Sequence, residues 1–223
     1  MYYDLIIIGV IVLLPILAQA KIKMNYNKYA KIASKRGISG REAAERILSN
    51  NGLSNVKVYQ VPGSLTDHYD PRNKSVSLSS SIYSEKSISS VAVAAHECGH
   101  AIQDKIGYSF MRFRSSMVPV VNITSSISSI FILLGFLTEF AGLITVGIVL
   151  LSVGLLFQLV TLPVEFDASR RAKDELYKLG IVDESEKRGV KKVLSAAAFT
   201  YVAGFLASAL QVVRLLLMTR RRR

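Results

Sequence analysis

The chain has 223 residues, half of them hydrophobic, and 28 basic against 16 acidic side chains give it a net charge of +12. A single cysteine excludes an intrachain disulfide, and a positive mean hydropathy of +0.34 points away from an ordinary soluble domain. The basic excess does not read as nucleic-acid binding: many of these residues flank apolar segments, and no recognition motif or aromatic–basic interleaving accompanies them. Anionic lipid headgroups are the simpler partner.

The first of four apolar stretches covers residues 5–20, interrupted only by Gln19. Ala18-Gln19-Ala20 resembles a signal-peptidase site, but Met1-Tyr2-Tyr3-Asp4 lacks the basic region that opens a signal peptide. Residues 1–20 are therefore predicted to be an uncleaved membrane anchor. Only Asp4 precedes this span, whereas Lys21, Lys23, Lys28, Lys31, Lys35 and Arg36 follow it. The positive-inside tendency then places the N-terminus outside and the chain from Lys21 onward in the cytoplasm.

A polar portion with a small α+β pattern comes next. Ser39-Gly40-Arg41-Glu42 reads as a capping box opening a helix that ends near Asn51-Gly52. Residues 56–61 and 75–79 alternate like strands. The second of these precedes a helix, and is either an ordinary paired strand or an exposed edge able to bind an extended peptide. Between them, Asp67-His68-Tyr69-Asp70-Pro71-Arg72-Asn73 reads as turn-rich, with His68 as a loop histidine.

The following helix carries the chemistry. From Ser84 to Lys105 there is no proline, Ser84 is the predicted cap and Glu85 the acidic first-turn residue. Inside it lies His96-Glu97-Cys98-Gly99-His100, an H-E-x-x-H motif. Helical positions four apart share a face, so His96 and His100 can offer imidazole nitrogens to one metal ion. Glu97 projects about 100° around the helix, within reach of a water on that metal. Ala95 and Gly99 leave room for neighbouring groups, and Cys98, two residues from each histidine, points away into packing. Two neutral imidazoles suit Zn²⁺, which needs a third protein ligand and, for catalysis, an open position. The remaining candidates are His68 and an acidic residue further along the chain, Glu165.

Residues 117–138 and 140–164 carry no charge and each is long enough to cross a hydrocarbon core of about 30 Å. They read as a hairpin turning near Glu139, and Thr124, Ser125, Ser126, Ser128 and Ser129 suit close helix packing in the first of them. The hairpin returns Glu165 to the side of the motif helix. Residues 193–213 form a fourth uncharged stretch. If it spans, the tail Arg220-Arg221-Arg222-Arg223 ends outside, against the positive-inside tendency, and Arg214 adds to the conflict; spanning and interfacial placements both stay open. None of the spans carries His, Asp or Glu at its middle, which argues against a zinc transporter.

Three separated segments, 66–71, 94–103 and 163–168, resemble in order and sequence the YugP-type neutral zinc metallopeptidases of bacterial membranes. The resemblance covers nearly the whole chain. It implies a gluzincin-like site in which His96 and His100 bind Zn²⁺, Glu97 is the general base and Glu165 is the third ligand. More distantly similar prenyl-protein and heat-shock membrane proteases carry an aspartate four residues after that glutamate. Here the position is Ser169, with Asp167 a possible substitute.

The expected fold is mainly α: a membrane protein with about four hydrophobic helices and a small α+β, zincin-like cytoplasmic portion. Its parts are an anchor (1–20), a cytoplasmic metallopeptidase portion (21–116), a transmembrane hairpin (117–164), a third-ligand helix and polar segment (165–192), and a C-terminal hydrophobic segment with a basic tail (193–223). The expected activity is hydrolysis of protein or peptide substrates by a zinc metalloendopeptidase of the bacterial inner membrane, a multi-pass protein with its site facing the cytoplasm. The alternative is a non-catalytic membrane scaffold with a structural zinc. Sequence does not give the oligomeric state.

Overall fold

Residues 2–220 are described by a computed structural model, in which seven helices and three short strands follow one another. The order is α1 (Tyr2–Ala30), α2 (Gly40–Asn50), β1 (Lys57–Val61), β2 (His68–Asp70), β3 (Ser75–Ser79), α3 (Ser80–Ser84), α4 (Ile88–Lys105), α5 (Ser109–Leu137), α6 (Ala141–Lys178) and α7 (Glu184–Arg220). The protein is mainly helical, and α1, α5, α6 and α7 are each long and apolar enough to cross a membrane. The chain divides into two compact units: one takes the residues up to Gln19, Arg112–Pro163 and those from Thr200, the other Ala20–Met111 and Val164–Phe199.

In the apolar unit, α5 and α6 form the expected hairpin, reversing at Glu139, which adopts a left-handed φ of 56°. Close approach comes from small residues. A Cβ on Gly147 would lie 2.5 Å from the Ile132 side chain, and Ser128, buried, donates from its hydroxyl to the Gly147 carbonyl at 2.9 Å. Of the serines expected to pack, only Ser128 does so in this way; Ser126 and Ser129 donate to carbonyls of their own helix. Ile144, Ile148, Val212 and Leu215 form the buried apolar cluster of this unit.

Several helices run past the boundaries expected from the sequence. α1 runs ten residues past Ala20, because residues 21–30 contain neither proline nor glycine and bury Tyr26 and Tyr29 in the core of the second unit. α6 is one helix through Pro163, so no new helix starts at Glu165. α7 continues through Arg214 without a break. Arg221, Arg222 and Arg223 lie outside the described residues.

The second unit is built on α4, whose apolar residues are buried almost all round. Against it lies α2, opened by the expected capping box: Ser39 Oγ accepts from the Glu42 backbone N–H, and Glu42 accepts from that of Ser39 at 2.6 Å. Ala43, Ala44, Ile47 and Leu48 form its buried stripe. Helix α4 starts three residues later than the sequence suggests. Ser84 belongs to the short α3, and the cap is Ser87, whose hydroxyl accepts from Ser90 N–H at 3.1 Å.

The sheet order is β1-β3-β2, with β1 parallel and β2 antiparallel to β3. This overturns the turn-only reading of residues 67–73, since His68–Asp70 is a strand. The misreading has a reason: the turn residues are real, with Asp70 accepting from Arg72 and Asn73 N–H groups, but they close the β2–β3 hairpin rather than replace β2. The order also removes the edge-strand option for β3. It is the central strand, all five residues buried, paired along its length with β1 and over Ser75–Ser77 with β2.

Candidate metal centre

All side chains of the centre belong to the second unit. His96 and His100 sit one turn apart on α4, their ring centroids 4.8 Å apart and nearly perpendicular. Glu165, two residues past Pro163 on α6, brings its carboxylate between them. Its Oε2 lies 3.2 Å from His96 Nε2 and 3.7 Å from His100 Nε2. Among the described residues, these are the three metal-capable side chains that converge, with ligand atoms within 4.8 Å of one another. The donor set suits a tetrahedral divalent ion: bonds of about 2.1 Å put donors about 3.4 Å apart. Two imidazoles with one carboxylate is a ligand set that catalytic zinc sites use, leaving a fourth position for water or substrate.

Electrostatics favour a cation here. Glu165 is buried, its side chain only 3% exposed, so its charge needs a partner. Burial works against charging His100, yet its contacts with Glu165 outweigh that and raise its proton affinity; a metal ion would take the place of that proton. Glu97 is also buried, and its carboxyl is pushed above the usual carboxylate range, chiefly by burial. A carboxylate made more basic in this way is suited to taking a proton.

The α4–α6 contact that brings the two histidines and Glu165 together depends on Gly99. A Cβ there would lie 2.5 Å from the Ala168 carbonyl oxygen and 3.1 Å from Ala168 Cα, backbone atoms that cannot swing aside. Gly99→Ala is expected to cost about 1–3 kcal/mol by overpacking and to weaken zinc binding with it. Thermal melting and zinc titration of the detergent-solubilised variant measure both.

The other sequence candidates lie elsewhere. His68 is exposed on β2 and its Nδ1 bonds the Thr66 carbonyl at 2.9 Å. Cys98 is buried, 3.7 Å from the Ala44 carbonyl, and burial pushes its thiol well up, away from the thiolate a metal needs. Ser169 hydrogen-bonds His96 Nδ1 at 3.2 Å, so the position four residues after Glu165 still contacts an imidazole of the cluster despite the change from aspartate. Asp167 pairs with Arg170 and with Arg171 Nε, and takes a hydrogen bond from Gln103. Sequence reasoning passed over Gln103, although its place three residues after His100 on one helix face was a signal. It also passed over Asp67, whose carboxylate accepts the Ser79 N–H at 2.7 Å and tethers the end of β3.

A helical membrane-type architecture with an H-E-x-x-H helix and a two-histidine, one-glutamate cluster defines the class to which the comparisons then point. The profile of the family described as "Putative neutral zinc metallopeptidase" matches residues 4–220. The "Putative membrane protease YugP" of Bacillus subtilis (strain 168) is 46% identical over 201 residues, 90% of this chain and 89% of that protein. The chain belongs to this neutral zinc metallopeptidase family. No solved structure matches it.

Proposed function

We propose that this protein is a zinc-dependent endopeptidase of the bacterial inner membrane, with its site at the cytoplasmic face. His96, His100 and Glu165 hold the ion, and Glu97 is the general base. The observation that carries this reading is the meeting of two Nε2 atoms of the H-E-x-x-H helix with a buried carboxylate from α6. Zinc, when bound by such residues, polarises a carbonyl and brings the pKa of water down to about 7. Glu97 takes the proton of the attacking water and returns it to the leaving amine. Its burial beside the two histidines, with an elevated proton affinity, equips it for both transfers. The family and the relative's description as a membrane protease support a peptide as substrate.

The test is cleavage of an unstructured protein such as casein by purified protein. Cleavage should vanish when the metal is stripped by a chelator and return with added zinc. If chelation lowers thermal stability in a preparation that never cleaves peptide, the zinc is a structural clamp.

Shared ligation also demands that α4 and the start of the polar part of α6 face one compartment, with an even number of spans between them. Cysteines introduced singly at Lys105 and Lys173, in a Cys98→Ala background, should both resist a membrane-impermeant thiol reagent in intact cells and both react after permeabilisation. Labelling of only one from outside would place the histidines and Glu165 on opposite sides.

A further inference from the structure

We propose that Gln103 is a positioning residue that fixes the His100 ring in the tautomer whose Nε2 is free to bind the metal. The inference rests on the zinc-site reading above. Gln103 is completely buried, on the same face of α4 as His100. Its Oε1 accepts from His100 Nδ1 at 3.0 Å, while its Nε2 donates to the Val164 carbonyl at 2.8 Å and to Asp167 Oδ2 at 3.0 Å. The amide cannot be turned round. Reversal would face its oxygen to a carbonyl and a carboxylate, neither of which carries a hydrogen to give. The orientation is thus dictated from α6, where Arg171 Nε holds the same Asp167 oxygen at 2.6 Å and Arg170 holds the other.

An oxygen held at Nδ1 requires the proton on Nδ1. The lone pair is then left on Nε2, the atom 3.7 Å from Glu165 Oε2. His96 has no such lock: its Nδ1 partner is the Ser169 hydroxyl, which can donate or accept and so selects no tautomer. Gln103 has a second effect through the same amide. By gripping the Val164 carbonyl, it ties the backbone just before Glu165 to the helix that carries both histidines.

The test compares wild type with Gln103→Met, which keeps the volume and removes all three polar contacts. Zinc affinity is measured by chelator competition, and folding by thermal melting of the metal-free protein. Zinc binding is expected to weaken about 10–100-fold, the usual effect of losing such a partner. A lower metal-free melting temperature with unchanged zinc affinity would assign Gln103 a merely structural role and overturn the proposal. A variant-independent arm uses ¹⁵N NMR of histidine rings in zinc-loaded wild type, where the chain's three histidines give few signals to assign. The proposal requires metal on His100 Nε2 and hydrogen on Nδ1; metal on Nδ1 overturns it. Wild type that holds no zinc would remove both this inference and the proposed function. One zinc per chain, bound equally tightly by the methionine variant, would remove only the role of Gln103.

Discussion

Glu97→Gln is expected to keep one zinc per chain and to lose peptide cleavage by about 10²–10⁴-fold, the usual contribution of a general base. The separation of the two effects follows from the geometry. The converging donors are His96, His100 and Glu165, and Glu97 is not among them. Glutamine has the same shape but takes up no proton at neutral pH, so the water is no longer activated. Stability should not fall with activity. Burial raises the Glu97 carboxyl above its ordinary value, so the ionised form is the one that folding disfavours. As pH rises past that ordinary value, wild type carries this penalty and the glutamine variant does not. The variant's melting temperature at neutral pH should therefore equal or exceed that of wild type. Zinc analysis, casein cleavage and a thermal melt on one preparation check all three; cleavage within a few-fold of wild type would remove Glu97 from the mechanism.

Glu165→Ala should act on the metal itself. It removes the carboxylate lying 3.2 and 3.7 Å from the two imidazole nitrogens and leaves two histidines as the protein ligands. The loss of zinc affinity should exceed the roughly 10–100-fold typical of an outer hydrogen-bond partner, and cleavage should disappear with the ion. His68→Ala is the matching control. His68 is exposed and engaged with the Thr66 carbonyl, so stoichiometric zinc should remain. Metal analysis of the two variants side by side reads the difference. Zinc kept by Glu165→Ala and lost by His68→Ala would move the third ligand to β2.

What was legible in the sequence is what depends on local pattern. The capping box at Ser39, the apolar spans, the turn at Glu139 and the four-residue spacing of His96 and His100 each lie within a few residues, and the structure contains all of them. The strand at His68–Asp70 was hidden because three residues beside Pro71 carry a turn signature, while their pairing to β3 comes from residues 75–77. The start of α4 was misplaced because Ser84 and Ser87 are equally good caps, and the choice is made by α3 and by the backbone bond from Ser34 N–H to the Lys86 carbonyl. Glu165 could be named as a candidate beside His68 from its place where the apolar hairpin ends, and the resemblance favoured it, whereas its approach to His96 depends on the fit of Gly99 against Ala168, 69 positions further on. Gln103 joins α4 to α6 through the Val164 carbonyl and Asp167; its place three residues after His100 marks its contact on α4, but no local pattern specifies the bridge to α6.

The coordination sphere itself is the most direct test. X-ray absorption at the zinc edge of purified wild-type protein should give nitrogen and oxygen donors at about 2.0–2.1 Å, with imidazole scattering from two rings and no sulfur. The Glu165→Ala protein, loaded with zinc at high concentration, should lose one light donor from that shell. A sulfur shell at about 2.3 Å, or a spectrum unchanged by Glu165→Ala, would contradict a site made of His96, His100 and Glu165.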